Sequence, residues 1–302
     1  MLHGVKMSKN KAPQKHHYVP QFLLRRFSSP YSEGGKSKIF WYDKQKCLCR
    51  YTAIKDIAFK DAFYTYVDNG ETINLEKDLF SKLDYEASIV LREICKTKSV
   101  PQEDIKKHWL LYFLAAQFLR IPRKRENLIR IAEDIKKQLG PEFPLGLLNR
   151  PVGLIDTENI KKWSLTDFEK KCEYLESELR HKKLMLIDNK SDVPFIISDN
   201  PVCIIRPDEA YDINSIPGDI VLPLTPHLAL CAYSAEHEPQ INAIRKNIVL
   251  WNNIYQIHEA ERFVFSNDEK LLNEMSKYDT YEHPRLCFEG QALEMLKNLN
   301  FS

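Results

Sequence analysis

Asn74-Leu-Glu-Lys-Asp-Leu-Phe-Ser-Lys-Leu-Asp-Tyr-Glu-Ala-Ser-Ile-Val-Leu-Arg-Glu-Ile-Cys95 decides the class of fold. Leu75, Leu79, Leu83, Ala87, Val90, Leu91 and Ile94 recur at helical spacing and draw one apolar stripe along a long helix. Val100-Pro101 interrupts it, and Ile105, Trp109, Phe113, Ala116 and Leu119 carry a second helix to Ile121-Pro122. There proline, with no N–H and a restricted preceding residue, bends or stops the chain. A third helix is expected over Asn127–Gln138.

Outward from this helical block the pattern changes. Upstream, residues 38–43 and 62–67 are aromatic and β-branched between turn formers and read as strands. Pro20 suits the first turn of a short helix ending near Phe27, and Ser28-Ser-Pro30 stops it. Downstream, Gly140, Pro141, Pro144, Gly146, Pro151 and Gly153 make the strongest compositional break. Beyond it a helix near 165–180 precedes strands over 183–188, 195–198, 202–206, 220–223 and 228–233, then a helix over 240–260 and a strand over 262–266. The expected fold is α+β: a small mixed or antiparallel sheet with an inserted bundle of long helices. Residues 1–15 read as a flexible tail, 16–150 as motif, strands and helical unit, and 151–302 as a strand-rich part packed on it in one integrated domain.

Hydrophobic residues make up 43% of the 302 and charged ones 28%, enough to build a core. A net charge of +2 provides no global attraction to nucleic acid or membrane, so any basic surface is local. Seven scattered cysteines point to reduced thiols and a cytoplasmic setting. No apolar run reaches the roughly 18 residues of a spanning helix, so no membrane partner is expected. Cys47-x-Cys49 lacks zinc spacing, and P-loop, Gly-x-Ser-x-Gly and His-Glu-x-x-His motifs do not occur.

Four segments carry the polar residues of interest: Lys15-His-His-Tyr-Val-Pro-Gln-Phe-Leu-Leu-Arg-Arg-Phe-Ser28; Gln117-Phe-Leu-Arg-Ile-Pro122; Phe195-Ile-Ile-Ser-Asp-Asn-Pro-Val202 with Leu222-Pro-Leu-Thr-Pro226; and the asparagine-bearing helix running into Ala260-Glu-Arg-Phe-Val-Phe-Ser266. Together, over most of residues 15–267, they resemble the domain-of-unknown-function family 4238. The resemblance implies an uncharacterised activity and a setting among microbial defence or mobile-element genes.

His16 and His17 precede Pro20 at a helix entrance, where a neutral imidazole can serve as general base or metal ligand. The pattern is similar in part to that of ββα-metal nucleases, without their second ligand on the following helix. Asp199 ends an apolar strand and, with His17, is the candidate ligand for a divalent metal; an Asx turn is the plainer account of Asp199-Asn200. Gln117 and Arg120, one helical turn apart, can hold a phosphate, or Arg120 can pair internally with Glu86. Arg120, Arg123, Lys124, Arg125 and Arg130 form the densest basic run, fit for phosphate backbone or for a solvated helix face. Tyr18, Asn200 and Asn253 complete the candidate substrate-binding set, with His227 at lower weight. The expected function is a metal-assisted, nuclease-like phosphodiester hydrolase or defence effector acting on nucleic acid or nucleotide, with His16, His17 and Asp199 catalytic. The alternatives are an ADP-ribosyl-type transferase and a non-enzymatic module that binds a protein partner through the 105–138 helices.

Overall fold

The computed structural model describes residues 15–28, 37–140, 144–145, 150–151, 157–206, 218–238 and 248–280. Residues 1–14 of the expected tail and much of the Gly/Pro-rich break lie outside them, while Lys15, expected in the tail, already pairs with Asp61 in a strand. The fold is α+β, with antiparallel sheets around a helical layer.

β1 (Lys15–His17) pairs with β4 (Phe59–Asp61), and α1 (Gln21–Leu24) follows Pro20 as the proline predicts. β2 (Lys38–Asp43) and β3 (Leu48–Ala53) form a hairpin, and β5 (Thr65–Asp68) and β6 (Glu71–Asn74) form another. The strand expected over 62–67 is therefore displaced: Ala62, with φ of 48°, turns the chain and the strand starts at Thr65.

A π-helical turn leads into α2 (Ser81–Thr97), which Lys98 closes in the left-handed conformation. α3 (Asp104–Leu119) is buried from Leu110 to Phe118 because α2 and α6 (Phe168–Arg180) cover it on two sides. α4 (Pro122–Leu139) begins five residues earlier than expected. Ile121 is extended (φ −75°, ψ 150°) and Pro122 takes the first helical position, so the proline initiates a helix as well as ending the one before. α5 (Thr157–Leu165) packs against α4.

β7 (Pro144–Leu145) pairs with β8 (Arg150–Pro151), and two four-stranded antiparallel sheets complete the frame. In the first, β10 (Ile197–Ser198), β14 (Phe263–Ser266), β2 and β3 lie in that order, so the C-terminal motifs pair with the N-terminal hairpin. In the second the order is β11 (Cys203–Arg206), β12 (Asp219–Thr225), β13 (Leu228–Tyr233) and β9 (Lys183–Asp188). All six β13 residues are buried, which explains an unbroken apolar run in place of alternation. Pro223 sits inside this sheet at a register shift between Pro223 and Thr225, where a missing N–H is tolerated. α7 (Ile248–Glu259) and α8 (Glu269–Ser276) pack by the strand pair β10–β14. One apolar core draws Leu23, Leu110, Leu175, Leu222 and Phe265 from both sides of the compositional break.

Candidate functional site

The C-terminal motif residues form a clasp. Asp199, 2% exposed, accepts the backbone N–H of Glu261 on Oδ1 and those of Arg262 and Phe263 on Oδ2, each at 2.8 Å. Burial raises its carboxyl to about 6 against the pull of these three amides. The turn expected here is thus a long-range one, tying β10 to the start of β14. Asn200 donates to the Glu259 carbonyl (3.2 Å). Asn253 stands in for a strand: Oδ1 accepts from Ile196 N and Nδ2 donates to the Pro194 carbonyl, both at 2.9 Å. Gln256 donates to the Pro201 carbonyl (2.9 Å). The last carbonyls of α7 are met by Lys44 and Arg123, cations placed where a helix presents its negative end.

The N-terminal motif residues build a second buried network. His16 is fully buried and its Nδ1 accepts the Tyr64 N–H (2.9 Å), with the two rings stacked 5.7 Å apart. Gln117 donates to the Tyr18 carbonyl (2.9 Å) and accepts from Arg120 Nε (2.7 Å). Arg120 pairs with Asp84 at 2.9 Å, and its own carbonyl receives the Tyr64 hydroxyl at 2.7 Å. The internal ion pair considered for Arg120 therefore exists with Asp84, not Glu86. Among the described residues Arg120 Nη2, Glu76 Oε2 and His16 Nε2 have no hydrogen-bond partner, and burial raises Glu76 to about 7.

His17 is half-buried beside Phe59, with Gln21 Nε2 3.5 Å from its Nδ1, and burial lowers it to about 4. The imidazole is therefore neutral at pH 7. The structure brings Gln117, Arg120, Tyr18 and His16 into one network and Asp199, Asn200 and Asn253 into another. Among the described residues no group of three His, Cys, Asp or Glu side chains has metal-binding geometry. Gln117 and Asn253 are buried and spent on these bonds, whereas Arg120, buried and paired with Asp84, keeps Nη2 unpartnered and borders a cavity.

The basic run disperses as well. Arg120 is in the core, Arg123 pairs with Glu259 and Arg130 bonds Asn127, so no phosphate-backbone stripe forms. Arg120, Lys124 and Arg125 all border a cavity of about 170 Å³ between the α3–α4 corner, the Phe63-Tyr64 turn and the α5–α6 junction. Its apolar lining is Leu119, Ile121, Leu128, Ile131, Leu165 and Phe168, with Phe63, Tyr64 and Trp163 supplying further rings.

Arg125 donates to the Phe63 carbonyl (3.0 Å) and stacks 3.8 Å from the Phe63 ring. Lys171 donates to the Trp163 carbonyl (3.0 Å), and the Lys124 ammonium lies 3.5 Å from the Phe118 ring centroid. Burial lowers Arg125 to about 10 and lowers Lys171, yet neither has a salt-bridge partner among the described residues. No carboxylate occurs among the described residues of the lining. Trp163 and Lys171 escaped the sequence reading because they carry no motif; they meet only because α5 and α6 join there.

An α+β frame with motif residues locked inside and a cationic, aromatic cavity at its helical corner defines the class. The chain belongs to the DUF4238 family, described as proteins of unknown function, whose model matches residues 15–270. Among curated proteins and among solved structures, nothing matches it. No helix among the described residues is long and apolar enough to cross a membrane.

Proposed function

We propose that this chain acts on a nucleotide or a nucleic-acid end, held with its base in the cavity and its phosphate on Lys124, Arg125 and Lys171. The observation that carries this reading is a ring-lined cavity whose described lining holds no carboxylate and whose wall carries two half-buried cations, Arg125 and Lys171, with no salt-bridge partner among the described residues. A charge left without a counter-ion against low-dielectric walls is costly, and an incoming anion relieves that cost. Rings on the wall suit a flat heterocycle, and cations beside them suit phosphate.

Of the chemistries considered, phosphodiester hydrolysis and ADP-ribosyl transfer both take such a ligand, whereas a purely protein-binding module has no use for this cavity. Hydrolysis through a metal on His17 and Asp199 would first have to release Asp199 from its three amides, so the cavity is the better starting point. The test is thermal melting of the whole chain with millimolar nucleoside monophosphates, nucleosides and inorganic phosphate. Occupation at a hundred times Kd adds about 2.7 kcal/mol of stability, a shift of several degrees. The expected result is a rise with nucleotides that Lys171→Met abolishes, each protein being read against its own ligand-free melt because the variant also loses the bond to the Trp163 carbonyl. No rise with any nucleotide, or an equal rise in Lys171→Met, overturns the reading.

A further inference from the structure

The Lys15–Ser28 motif carries one cation that neither the buried networks nor the cavity uses. α1 and the 3₁₀ turn Arg25–Phe27 bury Leu23, Leu24 and Phe27, so the backbone bearing Arg26 is fixed against α2. The Arg26 side chain is half-buried, and its Nη1 donates to Cys95 Sγ at 3.1 Å. Among the described residues its buried Nε has no partner, and no carboxylate or carbonyl accepts from the guanidinium. Cys95 brings no counter-charge. Its thiol is free, and burial raises it against the pull of Arg26 and Lys98, so it is neutral at pH 7. Burial lowers Arg26, and a second guanidinium, Arg92, stands close enough to lower it further.

Arg92 is exposed on α2 and has no ion pair among the described residues. Glu93, next in the helix, is held by Lys106, and Asp188, beside Lys98, is shared with Lys190. Two guanidinium charges left together in partial burial repel each other, and desolvation adds to the cost. A dianion removes both penalties, and its several acceptor oxygens match two forks of donors; a single carboxylate balances only one of the charges.

We propose that Arg26 and Arg92 form an anion site that takes the dianionic phosphate of a phosphomonoester. This site is separate from the cavity. α3 meets the end of α2 at its first turn, through Lys106 and Glu93, and reaches the cavity at its last; its 16 residues span about 24 Å. The same phosphate is offered by a free small molecule and by the 5′ end of a strand.

Titration calorimetry with inorganic phosphate at pH 8, against chloride at matched ionic strength, tests this on the whole chain carrying Lys171→Met. That background removes a cavity cation, so the outcome is independent of the cavity. One charge-assisted fork is worth about tenfold in affinity or more. Arg92→Gln, at an exposed position, is expected to weaken phosphate binding at least about tenfold, and Arg92→Lys, which keeps the charge without the fork, to weaken it less. In the chain with Lys171 intact, Arg92→Gln should remove one bound phosphate. A 5′-phosphorylated oligothymidylate binding tighter than inorganic phosphate assigns the site to strand ends, and the converse assigns it to a free phosphate compound. No phosphate binding, equal binding with and without Arg92→Gln in both backgrounds, or oligothymidylate binding as tightly without its terminal phosphate overturns the site.

Discussion

Replacing Asp199 by alanine strips the acceptor from three backbone amides at once. Glu261, Arg262 and Phe263 donate to this one carboxylate at 2.8 Å, and the group is 2% exposed, so water cannot take its place. A buried donor left unsatisfied costs about 1–3 kcal/mol, which puts the loss at roughly 3–9 kcal/mol. A domain's whole stability is about 5–15 kcal/mol, so Asp199→Ala is expected to be largely unfolded or to melt far below wild type. Asp199→Asn separates charge from geometry. Its single oxygen can keep the two bonds from Arg262 and Phe263, while its amide faces the Glu261 N–H, so about one bond is lost and about 1–3 kcal/mol with it. Urea unfolding at pH 7, above the value of about 6 at which burial sets this carboxyl, reads both variants with the wild type ionised. A loss below about 1 kcal/mol for Asp199→Ala, or equal losses for the two variants, would refute the clasp.

Glu76→Gln tests the second network through pH. Burial raises Glu76 from 4.5 to about 7, so the folded state holds a proton that the unfolded state has released. Stability from this group is highest below pH 4.5 and falls as pH rises to 7, by about 3 kcal/mol in all. His17, lowered to about 4, works in the opposite sense, losing stability as pH falls from 6.5. The difference between variant and wild type is therefore the informative quantity. Glu76→Gln should gain on wild type from pH 5 to pH 8 in urea unfolding, and a pH-independent difference would sink the assignment. Arg120→Met leaves Asp84 and Gln117 without their partner and is expected to cost about 3–5 kcal/mol, whereas Arg120→Met with Asp84→Leu should recover most of it. Asn253→Leu removes both bonds to the 194–196 segment and should cost about 2 kcal/mol or more by the same assay; a neutral variant would deny its strand-like role.

Periodicity located the long helices, because a stripe such as Leu83, Ala87, Val90, Leu91 and Ile94 is the face that enters the core. Strands that are buried on both faces, β12 and β13, were equally legible as unbroken apolar runs. Short pairings were not. β1 and β4 are three residues each and exist only through contact across the chain. The hairpin of β5 and β6 did carry a local signal, Asn69-Gly70 with φ of 48° and 84°, the turn pair that fits strand twist. Among site residues, the motifs marked polar groups that are buried, but nothing in their spacing told structural duty from chemical duty. Asp199 reads the same in sequence whether its oxygens meet a metal or three amides.

The motif residues nonetheless bear on the cavity through Tyr64. His16 Nδ1 takes the Tyr64 backbone N–H, and the Arg120 backbone carbonyl takes the Tyr64 hydroxyl, so the residue is held at its backbone and at its ring by two separate motifs. Tyr64 and its neighbour Phe63 line the cavity, and Phe63 in turn anchors Arg125 by its carbonyl and ring. The buried histidine is thus a positioning residue for a wall whose chemistry lies in Arg125, Lys124 and Lys171. A fully buried imidazole is a costly way to hold one tyrosine, unless the position of that residue matters more than the stability given up for it. On this argument the motifs mark the frame of the site, and the groups that would meet a ligand stand one residue layer further out.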